Sequence, residues 1–386
     1  MRITHLCLAC FFPDGHSYQE NILPKYHKKL GHDVSVVASL QTYGKDGNLV
    51  YMDGPKYYLN EYGIPVYRLA YEKPTKINRK LKRYIGTYKA LEKTNPDILF
   101  IHGCQFMDVG EIVKYKKTHP NLRIFVDNHA DFKNSAKNFV SRNIMHRILW
   151  RTEAKKLLPI TEAFYGVLPA RVDFLKDVYK LPSDKLKLLC IGADDEYVEK
   201  YSSIETRLAT RKRNGYSADD IVIITGGKIN SNRPETLDLM KAVIDCKYEN
   251  IKLLIFGLIG SDYKAQFDEL CESKKIQFIG WLTPEQTYEN IAASDLVAFP
   301  GLHSVMWEQA VAQGVPCLFR KIAGFNHIDI GGNAYLCEDV SQNGLSAAID
   351  DIFENGMRYI EMKKAAKKDE RKKFLYSEIA RQCIEY

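Results

Sequence analysis

The fold is decided by the stretch Phe278–Phe319, which reads FIGWLTPEQTYENIAASDLVAFPGLHSVMWEQAVAQGVPCLF. Leu296–Phe299 form a short apolar run that stops at Pro300-Gly301, and a helical pattern then continues to Gly314-Val315-Pro316. This order predicts strand, helix, strand, loop, helix and strand. Strands that alternate with helices are typical of an α/β fold with a parallel sheet.

Within that stretch, the helix that begins near Ser304 predicts a nucleotide site. A loop that turns directly into a helix presents free backbone N–H groups and the positive end of the helix dipole, and both favour a phosphate. The carboxylate near the first turn belongs to Glu308. A carboxylate suits a ribose diol better than a phosphate, so we expect Ser304 and Val305 to cap a phosphate and Glu308 to bind a ribose.

A second segment has a pattern that suits a diphosphate. The apolar run Ile221–Thr225 is followed by Gly226-Gly227, then by Lys228, and five residues later by Arg233 at a predicted helix start. Two fixed cations in a partly dry cleft stabilise the charge that develops on a departing diphosphate. We expect Gly227, Lys228 and Arg233 to bind one, and a solvated turn with incidental charge is the alternative.

Together these segments resemble the nucleotide-sugar-binding half of GT-B glycosyltransferases, and they are most like the retaining enzymes of family 4, or glycosyltransferase group 1, of bacterial polysaccharide type. Lys228 and Arg233 match the two cations of that family with the cation types exchanged. Pro300 stands where the family has the first glutamate of its E-x7-E motif. The second glutamate and its trailing helix are matched by Glu308, Ala310, Gly314 and Pro316.

The resemblance implies a GT-B fold, in which two Rossmann-like domains face each other across a cleft. We expect an acceptor-binding domain over residues 1–195, a linker over 196–220 and a nucleotide-sugar-binding domain over 221–356. Residues 357–386 would form a long helix that crosses back to the first domain.

Two loops of the amino-terminal half follow predicted strands, where ligands bind in α/β sheets. Gly15 and His16 follow the first strand, and the resemblance implies that they contact donor and acceptor, although Pro-Asp-Gly is equally a common turn sequence. His129 and Asp131 follow the strand Leu122–Val126 in a cluster that reads DNHAD. The resemblance implies that His129 lies close to the sugar and that Asp131 contacts the acceptor. A lone histidine after a strand is otherwise more often structural.

Three further residues are assigned through the resemblance. Trp281 and Leu282 follow a strand where the family holds the nucleotide base, so Trp281 would flank a uracil or pack at the rim of the site. His303 precedes the helix of Glu308 and is a candidate contact for the donor sugar or the acceptor.

The implied reaction is transfer of a hexose or N-acetylhexosamine, with retention, from a nucleotide sugar that we expect to be UDP-linked. The acceptor would be a hydroxyl of a glycan or a polyprenyl-linked oligosaccharide in cell-surface polysaccharide synthesis. Lys228 and Arg233 would neutralise the diphosphate and His129 would orient the reacting groups, with no metal ion and no cofactor besides the donor. The alternatives are a UDP-sugar 2-epimerase of GT-B shape and a non-catalytic partner subunit.

Charge is unevenly divided, because residues 1–190 carry 31 Lys and Arg against 18 Asp and Glu. The densest part, Lys73–Lys93, predicts a helix with an apolar stripe that packs on the core or settles on anionic lipid. Nucleic acid is not expected, because aromatic residues are not interleaved with the charges in a way that would stack bases.

The compartment follows from what the chain lacks. No run approaches the ~20 apolar residues of a membrane span, and the first strand begins almost at Met1 without a cleavage-site pattern. Nine scattered cysteines resemble buried thiols rather than a disulfide framework. We therefore expect a cytoplasmic protein of two domains, with peripheral contact to the inner face of the cell membrane.

Overall fold

The computed structural model describes residues 1–44, 48–73, 75–231 and 233–385. The chain folds into two compact units. The first unit contains residues 1–191 and 376–385, and the second contains residues 192–375. No helix within the described ranges has both the length and the apolar character needed to cross a bilayer.

The first unit is built on an eight-stranded sheet in the order β10-β9-β8-β7-β1-β2-β6-β5. Its neighbouring strands are parallel except for β5, which pairs antiparallel with β6 at the edge. A separate antiparallel pair is formed by β3 and β4. The strands are β1 (Arg2–Cys7), β2 (Asp33–Ser39), β3 (Gln41–Tyr43), β4 (Leu49–Tyr51), β5 (Lys56–Leu59), β6 (Pro65–Leu69), β7 (Ile98–His102), β8 (Arg123–Asn128), β9 (Ala163–Gly166) and β10 (Leu186–Leu188).

Helices cover both faces of this sheet, and its strands are apolar on both sides. In β7, Leu99 and Ile101 belong to one buried cluster, whereas Ile98 and Phe100 belong to another. The helices are α1 (Gln19–Lys29), α2 (Lys76–Leu81), α3 (Thr87–Thr94), α4 (Val109–Thr118), a π-helix (Val140–Trp150), α5 (Arg151–Leu157) and α6 (Pro169–Asp177), with short 3-10 turns at Leu158–Ile160 and Ser183–Lys185.

The second unit contains a six-stranded, fully parallel sheet in the order β13-β12-β11-β14-β15-β16. Its strands are β11 (Ile221–Ile229), β12 (Ile251–Ile259), β13 (Ile276–Phe278), β14 (Leu296–Phe299), β15 (Cys317–Arg320) and β16 (Ala334–Cys337). Its helices are α7 (Asp195–Lys200), α8 (Ile204–Arg213), α9 (Glu235–Asp245), α10 (Lys264–Leu270), α11 (Pro284–Ala293), α12 (Met306–Ala312), α13 (Gln342–Phe353) and α14 (Met357–Ala366), with 3-10 turns at Asn326–Ile328 and Asp369–Phe374. The strand-helix order predicted for Phe278–Phe319 is therefore present.

Residues 196–220, predicted as a linker, contain all of α7 except its first residue and all of α8, and they belong to the second unit. Arg207 and Arg211 of α8 both pair with Asp295, at 2.6 and 2.8 Å, which fixes the helix on the body of this unit. The final segment is not one long helix. It consists of α14, a 3-10 turn and α15 (Tyr376–Gln382), and α15 packs on α1 in the first unit, while residue 386 lies outside the described residues.

The basic segment 73–93 is not one helix either, and its Pro74 lies outside the described residues. The backbone turns into the left-handed region at Lys82 (φ 55°) and at Gly86 (φ 91°), so α2 ends before α3 begins. Because of this break, Ile77 and Ile85 are exposed instead of joining a continuous buried stripe.

Candidate functional site

The carboxyl edge of the second sheet brings the predicted diphosphate residues together. Lys228 is exposed at the end of β11, and Arg233 lies two residues before α9. Nη1 of Arg233 and Cε of Met306, the first residue of α12, are each 3.8 Å from the point where a Cβ on Gly227 would lie. The guanidinium group and the start of α12 therefore flank the same glycine, and together with Lys228 they form a cationic surface at the strand ends.

Glycines shape this edge in a way that the sequence does not reveal. Gly226, Gly227 and Lys228 lie beyond the apolar run Ile221–Thr225, but they continue β11 and pair with Phe256, Gly257 and Leu258 of β12. A Cβ on Gly257, whose φ is 129°, would lie 1.9 Å from the carbonyl oxygen of Gly227. The two strands can lie this close only because Gly257 has no side chain, whereas a Cβ on Gly227 would meet nothing nearer than 3.8 Å.

Glu308 is completely buried, and the ribose contact expected of it stays a prediction. Nε2 of His303 lies 2.9 and 3.1 Å from its two carboxylate oxygens, and Nε2 of His327 lies 2.7 Å from Oε1. Burial alone would raise the pKa of the Glu308 carboxyl, but the charge of His303 and the hydrogen bonds from both histidines lower it to about 2. Glu308 is therefore a carboxylate that orients two imidazole rings, and His303 is turned toward it.

Aromatic packing fixes the position of this cluster. The Trp307 ring is buried and stacks on Phe319 of β15, with centroids 4.4 Å apart and an interplanar angle of 2°. The His303 ring meets the edge of Trp307 at 5.3 Å and lies 5.1 Å from the Phe325 ring. The loop before α12 is thus held against the carboxyl end of the sheet.

In the first unit, a cavity of about 740 Å³ opens at the carboxyl ends of β1, β7 and β8. His102 and His129 line it on the sheet side, and Glu20 lines it from α1. Lys80 and Lys82 lie on one wall, and residues of the π-helix form another, namely Ser141, Met145, His146 and Trp150.

Below this cavity, four side chains form a buried line of hydrogen bonds. Nε2 of His27 lies 2.9 Å from the Ala380 carbonyl oxygen, and its Nδ1 lies 2.9 Å from Nε2 of His5. Nδ1 of His5 lies 3.0 Å from Nε2 of His102, whose Nδ1 lies 2.8 Å from Oδ2 of Asp127. The line therefore runs from α15 through α1, β1 and β7 to β8.

The two ends of this line determine where its protons lie. A carbonyl oxygen only accepts, so Nε2 of His27 donates to Ala380, and Nδ1 of His27 accepts from His5. His5 in turn accepts from Nε2 of His102, which leaves Nδ1 of His102 to donate to Asp127. A histidine that donates from both nitrogens is an imidazolium, so His102 and Asp127 form an ion pair.

The pKa shifts of these groups agree with that assignment. Burial and the neighbouring imidazoles lower the pKa of His5 well below its usual value, and burial lowers the pKa of His27 to about 3. Burial would also lower the pKa of His102, but the adjacent Asp127 charge outweighs it and raises the pKa to about 9. The pKa of Asp127 is lowered, because His102 and His129 outweigh the opposing effect of burial.

Part of the sequence resembles a known protein family. Residues 206–369 match the model of the family described as glycosyl transferases group 1. The match lies within the second unit, and the matched residues are called the group 1 domain below. A comparison with curated protein sequences finds no match.

Solved structures resemble the whole chain, including the part that precedes the group 1 domain. Anabaena Alr3699/HepE in complex with UDP has a TM-score of 0.68 and 15% identity, over 99% of this chain and 98% of that one. WaaG, a glycosyltransferase involved in lipopolysaccharide biosynthesis, has a TM-score of 0.66 and 15% identity, over 99% and 100%. A putative UDP-N-acetylglucosamine 2-epimerase from Listeria monocytogenes has a TM-score of 0.62 and 13% identity, over 98% and 94%. At these identities the likeness shows the fold, which is GT-B.

The remaining predicted residues of the group 1 domain are less enclosed than Glu308. The Trp281 side chain is 63% exposed, directly after Gly280. Leu282 is half-buried beside it, and Ser304 and Val305 are half-buried at the entrance to α12. Because α12 has only seven residues, its dipole is small, and the nearby cations supply most of the attraction for an anion.

Among the amino-terminal predictions, the structure brings His129 to the cavity but not Asp131. Nε2 of His129 lies 3.4 Å from Oδ2 of Asp127, within ion-pair range. Asp131 is buried, accepts the backbone N–H groups of Lys133 and Asn134, and pairs with Arg171 at 3.1 Å. Its oxygens stabilise a turn in this structure, and the acceptor contact expected of it stays a prediction.

Gly15 and His16 lie in the loop after β1. Gly15 has φ 73° and donates its N–H to Glu61, at 3.0 Å. The His16 ring stacks on Tyr18, with centroids 5.4 Å apart. Tyr18 lines the cavity, so His16 lies one side chain behind its wall.

Sequence reasoning missed Glu20, His102 and Asp127 as site residues, and also the pairing of His327 with Glu308. A signal for His102 exists, because it ends an otherwise apolar strand, and Asp127 lies next to the last residue of the neighbouring strand. Two groups of the described residues have atoms of the kind that bind metal ions within 4.8 Å of one another. They are Glu20, His102 and His129, and His303, Glu308 and His327. In the first group both nitrogens of His102 are already engaged, and in the second the two histidines bond directly to the carboxylate.

Proposed function

We propose that this chain is a retaining glycosyltransferase that moves a hexosyl or N-acetylhexosaminyl group from a UDP-linked donor to a hydroxyl of a glycan or polyprenyl-linked acceptor in cell-surface polysaccharide synthesis. The observation that carries the proposal is the pair of cations, Lys228 and Arg233, beside the start of α12 in the group 1 domain. The likeness to the Anabaena protein solved with UDP and to WaaG, a glycosyltransferase, supports it.

In the proposed reaction, the bond between the anomeric carbon and the diphosphate oxygen breaks. The acceptor oxygen bonds to that carbon on the same face, and its proton passes to an oxygen of the departing diphosphate. No protein nucleophile is needed. Lys228 and Arg233 stabilise the charge on the diphosphate, and a single donor of this kind contributes roughly 10²–10³-fold to the rate.

The first unit would present the acceptor in the cavity lined by His129. Asp127 orients His129, and the charge of Asp127 is balanced by His102. In the group 1 domain, Glu308 acts as a positioning residue, because it orients His303 in the loop before α12. Trp281, exposed at the same end of the sheet, supplies a flat surface against which a uracil can stack.

The test is transfer of radiolabelled sugar from a panel of UDP-sugars, with and without a lipid extract from the source cells. The wild type is expected to label the extract, and the variant Lys228→Ala/Arg233→Ala to lose at least a hundredfold in rate. A matched control, Lys212→Ala/Lys274→Ala, removes two exposed cations elsewhere in the same unit. Wild-type rates in the first variant would contradict the proposal.

The same assay separates the two alternatives. Conversion of a UDP-sugar to its 2-epimer without extract would replace the transferase with an epimerase, the class for which the Listeria monocytogenes protein of the same fold is named. Binding of UDP-sugars without either reaction would indicate a non-catalytic partner subunit. The absence of the first glutamate of the E-x7-E motif suggests this alternative. Either result would overturn the proposed transfer.

A further inference from the structure

The π-helix Val140–Trp150 has one face that the described part of the chain leaves uncovered. Four apolar side chains along it are largely exposed, with fractions of 75% for Phe139, 52% for Val140, 50% for Ile144 and 63% for Ile148. Val140, Ile144 and Ile148 recur every fourth residue, so they lie along one side of the helix. Exposed apolar residues scattered singly need no explanation, but a contiguous row marks an interaction surface.

The charged residues of the segment that carries this row have a single sign. Residues 132–152 contain no Asp or Glu, and their five cations are Lys133, Lys137, Arg142, Arg147 and Arg151. Lys137 and Arg147 are exposed, and the Arg142 guanidinium lies 5.0 Å from the centre of the Phe132 ring, which is itself exposed. A row of apolar side chains in a segment whose Asp, Glu, Lys and Arg content is entirely cationic fits a surface of anionic lipid head groups above apolar tails.

The opposite side of the same helix belongs to the cavity. Ser141, Met145, His146 and Trp150 line it, and Nδ1 of His146 is anchored to the Tyr179 hydroxyl at 2.9 Å. The helix is therefore a wall with the cavity on one side and the exposed row on the other. The opposite wall includes Lys80 and Lys82. Ile77, which precedes these lysines in the sequence, is also exposed.

From this arrangement we propose that Phe139–Ile148 is a docking surface for an anionic membrane, which brings the cavity of the first unit to the lipid surface. The apolar row enters the boundary between head groups and acyl chains, and the cations contact lipid phosphates. The surface differs from the one expected at residues 73–93, and its action does not depend on whether the chain transfers sugar.

The test measures partition of the purified full chain onto sucrose-loaded vesicles by sedimentation, without a nucleotide sugar. Vesicles of pure phosphatidylcholine are compared with vesicles that contain phosphatidylglycerol in a 7:3 mixture. We expect binding to the mixed vesicles only, weakened by salt, since each cation near an anionic surface contributes about fivefold to the partition.

Two pairs of variants assign the binding to this surface. Ile144→Ser/Ile148→Ser is expected to lower the partition at least tenfold, whereas Ile204→Ser/Leu208→Ser, an equally spaced and comparably exposed pair on α8, leaves it unchanged. Lys137→Glu/Arg147→Glu is expected to abolish binding to the mixed vesicles, and Lys212→Glu/Lys274→Glu to retain most of it. All substituted residues are on the surface, so the melting temperatures are expected to stay near that of the wild type.

Three results would overturn the proposal. One is equal partition onto neutral and anionic vesicles, or none onto either. Another is equal loss in the α8 control pair. The third is a wild-type dimer in light scattering that Ile144→Ser/Ile148→Ser dissociates, because the row would then be an interface between two copies of the chain. None of these results bears on sugar transfer from a UDP-sugar to a soluble acceptor.

Discussion

Nδ1 of His102 lies 2.8 Å from Oδ2 of Asp127, and both side chains are completely inaccessible to solvent. This ion pair ends the buried line that begins at the Ala380 carbonyl, and its carboxylate also faces His129. A charged pair inside the sheet is expensive to bury unless both groups are fully engaged. Its position directly below the cavity links the stability of the first unit to the proposed acceptor site.

Removing the carboxylate would leave a buried imidazolium without a counter-charge. We expect Asp127→Ala to lower the free energy of unfolding at neutral pH by about 3–5 kcal/mol. Urea denaturation measures the loss. Glu162→Ala, which removes a carboxylate from a half-exposed pair with Arg123, serves as the control and should cost much less. Equal losses of unfolding free energy in the two variants would show that the buried His102–Asp127 pair stabilises the protein no more than a half-exposed pair does.

Asp127→Asn tests the proton assignment. An amide donates to a neutral His102, so the line of hydrogen bonds survives without the ion pair. In the wild type the His102 pKa is raised to about 9, so its stabilising contribution is complete below about pH 6.5 and is lost as the pH rises through 9. The loss amounts to about 3 kcal/mol. The stability advantage of wild type over Asp127→Asn should therefore shrink between about pH 6 and pH 9.5, and an advantage independent of pH would contradict the assignment.

Glu308 is expected to behave with the opposite sign. Its pKa is lowered to about 2, so its contribution is present above about pH 4.5 and is lost as the pH falls through 2. We expect Glu308→Ala to lower the free energy of unfolding at neutral pH by about 3–5 kcal/mol, because two imidazoles lose their acceptor. Glu338→Ala, an exposed glutamate of the same unit paired with Lys321, is the control. If thermal unfolding of the two variants were indistinguishable, the cluster would have no structural role.

The contact between β11 and β12 gives a steric prediction. Gly257→Ala would force a methyl group to within 1.9 Å of the Gly227 carbonyl, so the strands must separate and Lys228 must move. Gly280→Ala shares a positive φ but meets nothing within 4 Å, and should cost only the backbone strain of about 1–2 kcal/mol. We expect Gly257→Ala to lose UDP binding by calorimetry and to unfold at a much lower temperature. If Gly257→Ala kept its affinity for UDP, the contact between β11 and β12 would not be needed to position Lys228.

The order of strands and helices could be predicted because each element carries its own periodicity and its own end signal. The region of Phe278–Phe319 folds as predicted for that reason. Lys228 and Arg233 could also be found, since a strand followed by glycines and cations is a local pattern. The local pattern did not predict that Gly226 and Gly227 continue the strand, because their strand conformation depends on pairing with β12.

The buried histidines could not be found in this way. His5, His27, His102 and Asp127 come from four different elements, and each alone is an ordinary polar residue in an apolar setting. Only the parallel pairing of β1 with β7 and of β7 with β8 brings them into line. Similarly, the sequence gives no sign that the side chain of His327, nineteen residues after Glu308, forms a hydrogen bond with it.

The central claim is that Lys228 and Arg233 bind the diphosphate of a nucleotide sugar, and a crystal structure of the chain with UDP tests it most directly. The account predicts the diphosphate at the carboxyl edge of β11, with both cations within hydrogen-bond distance of its oxygens. Electron density for UDP at any other place in the chain, or a diphosphate that neither cation contacts, would contradict it.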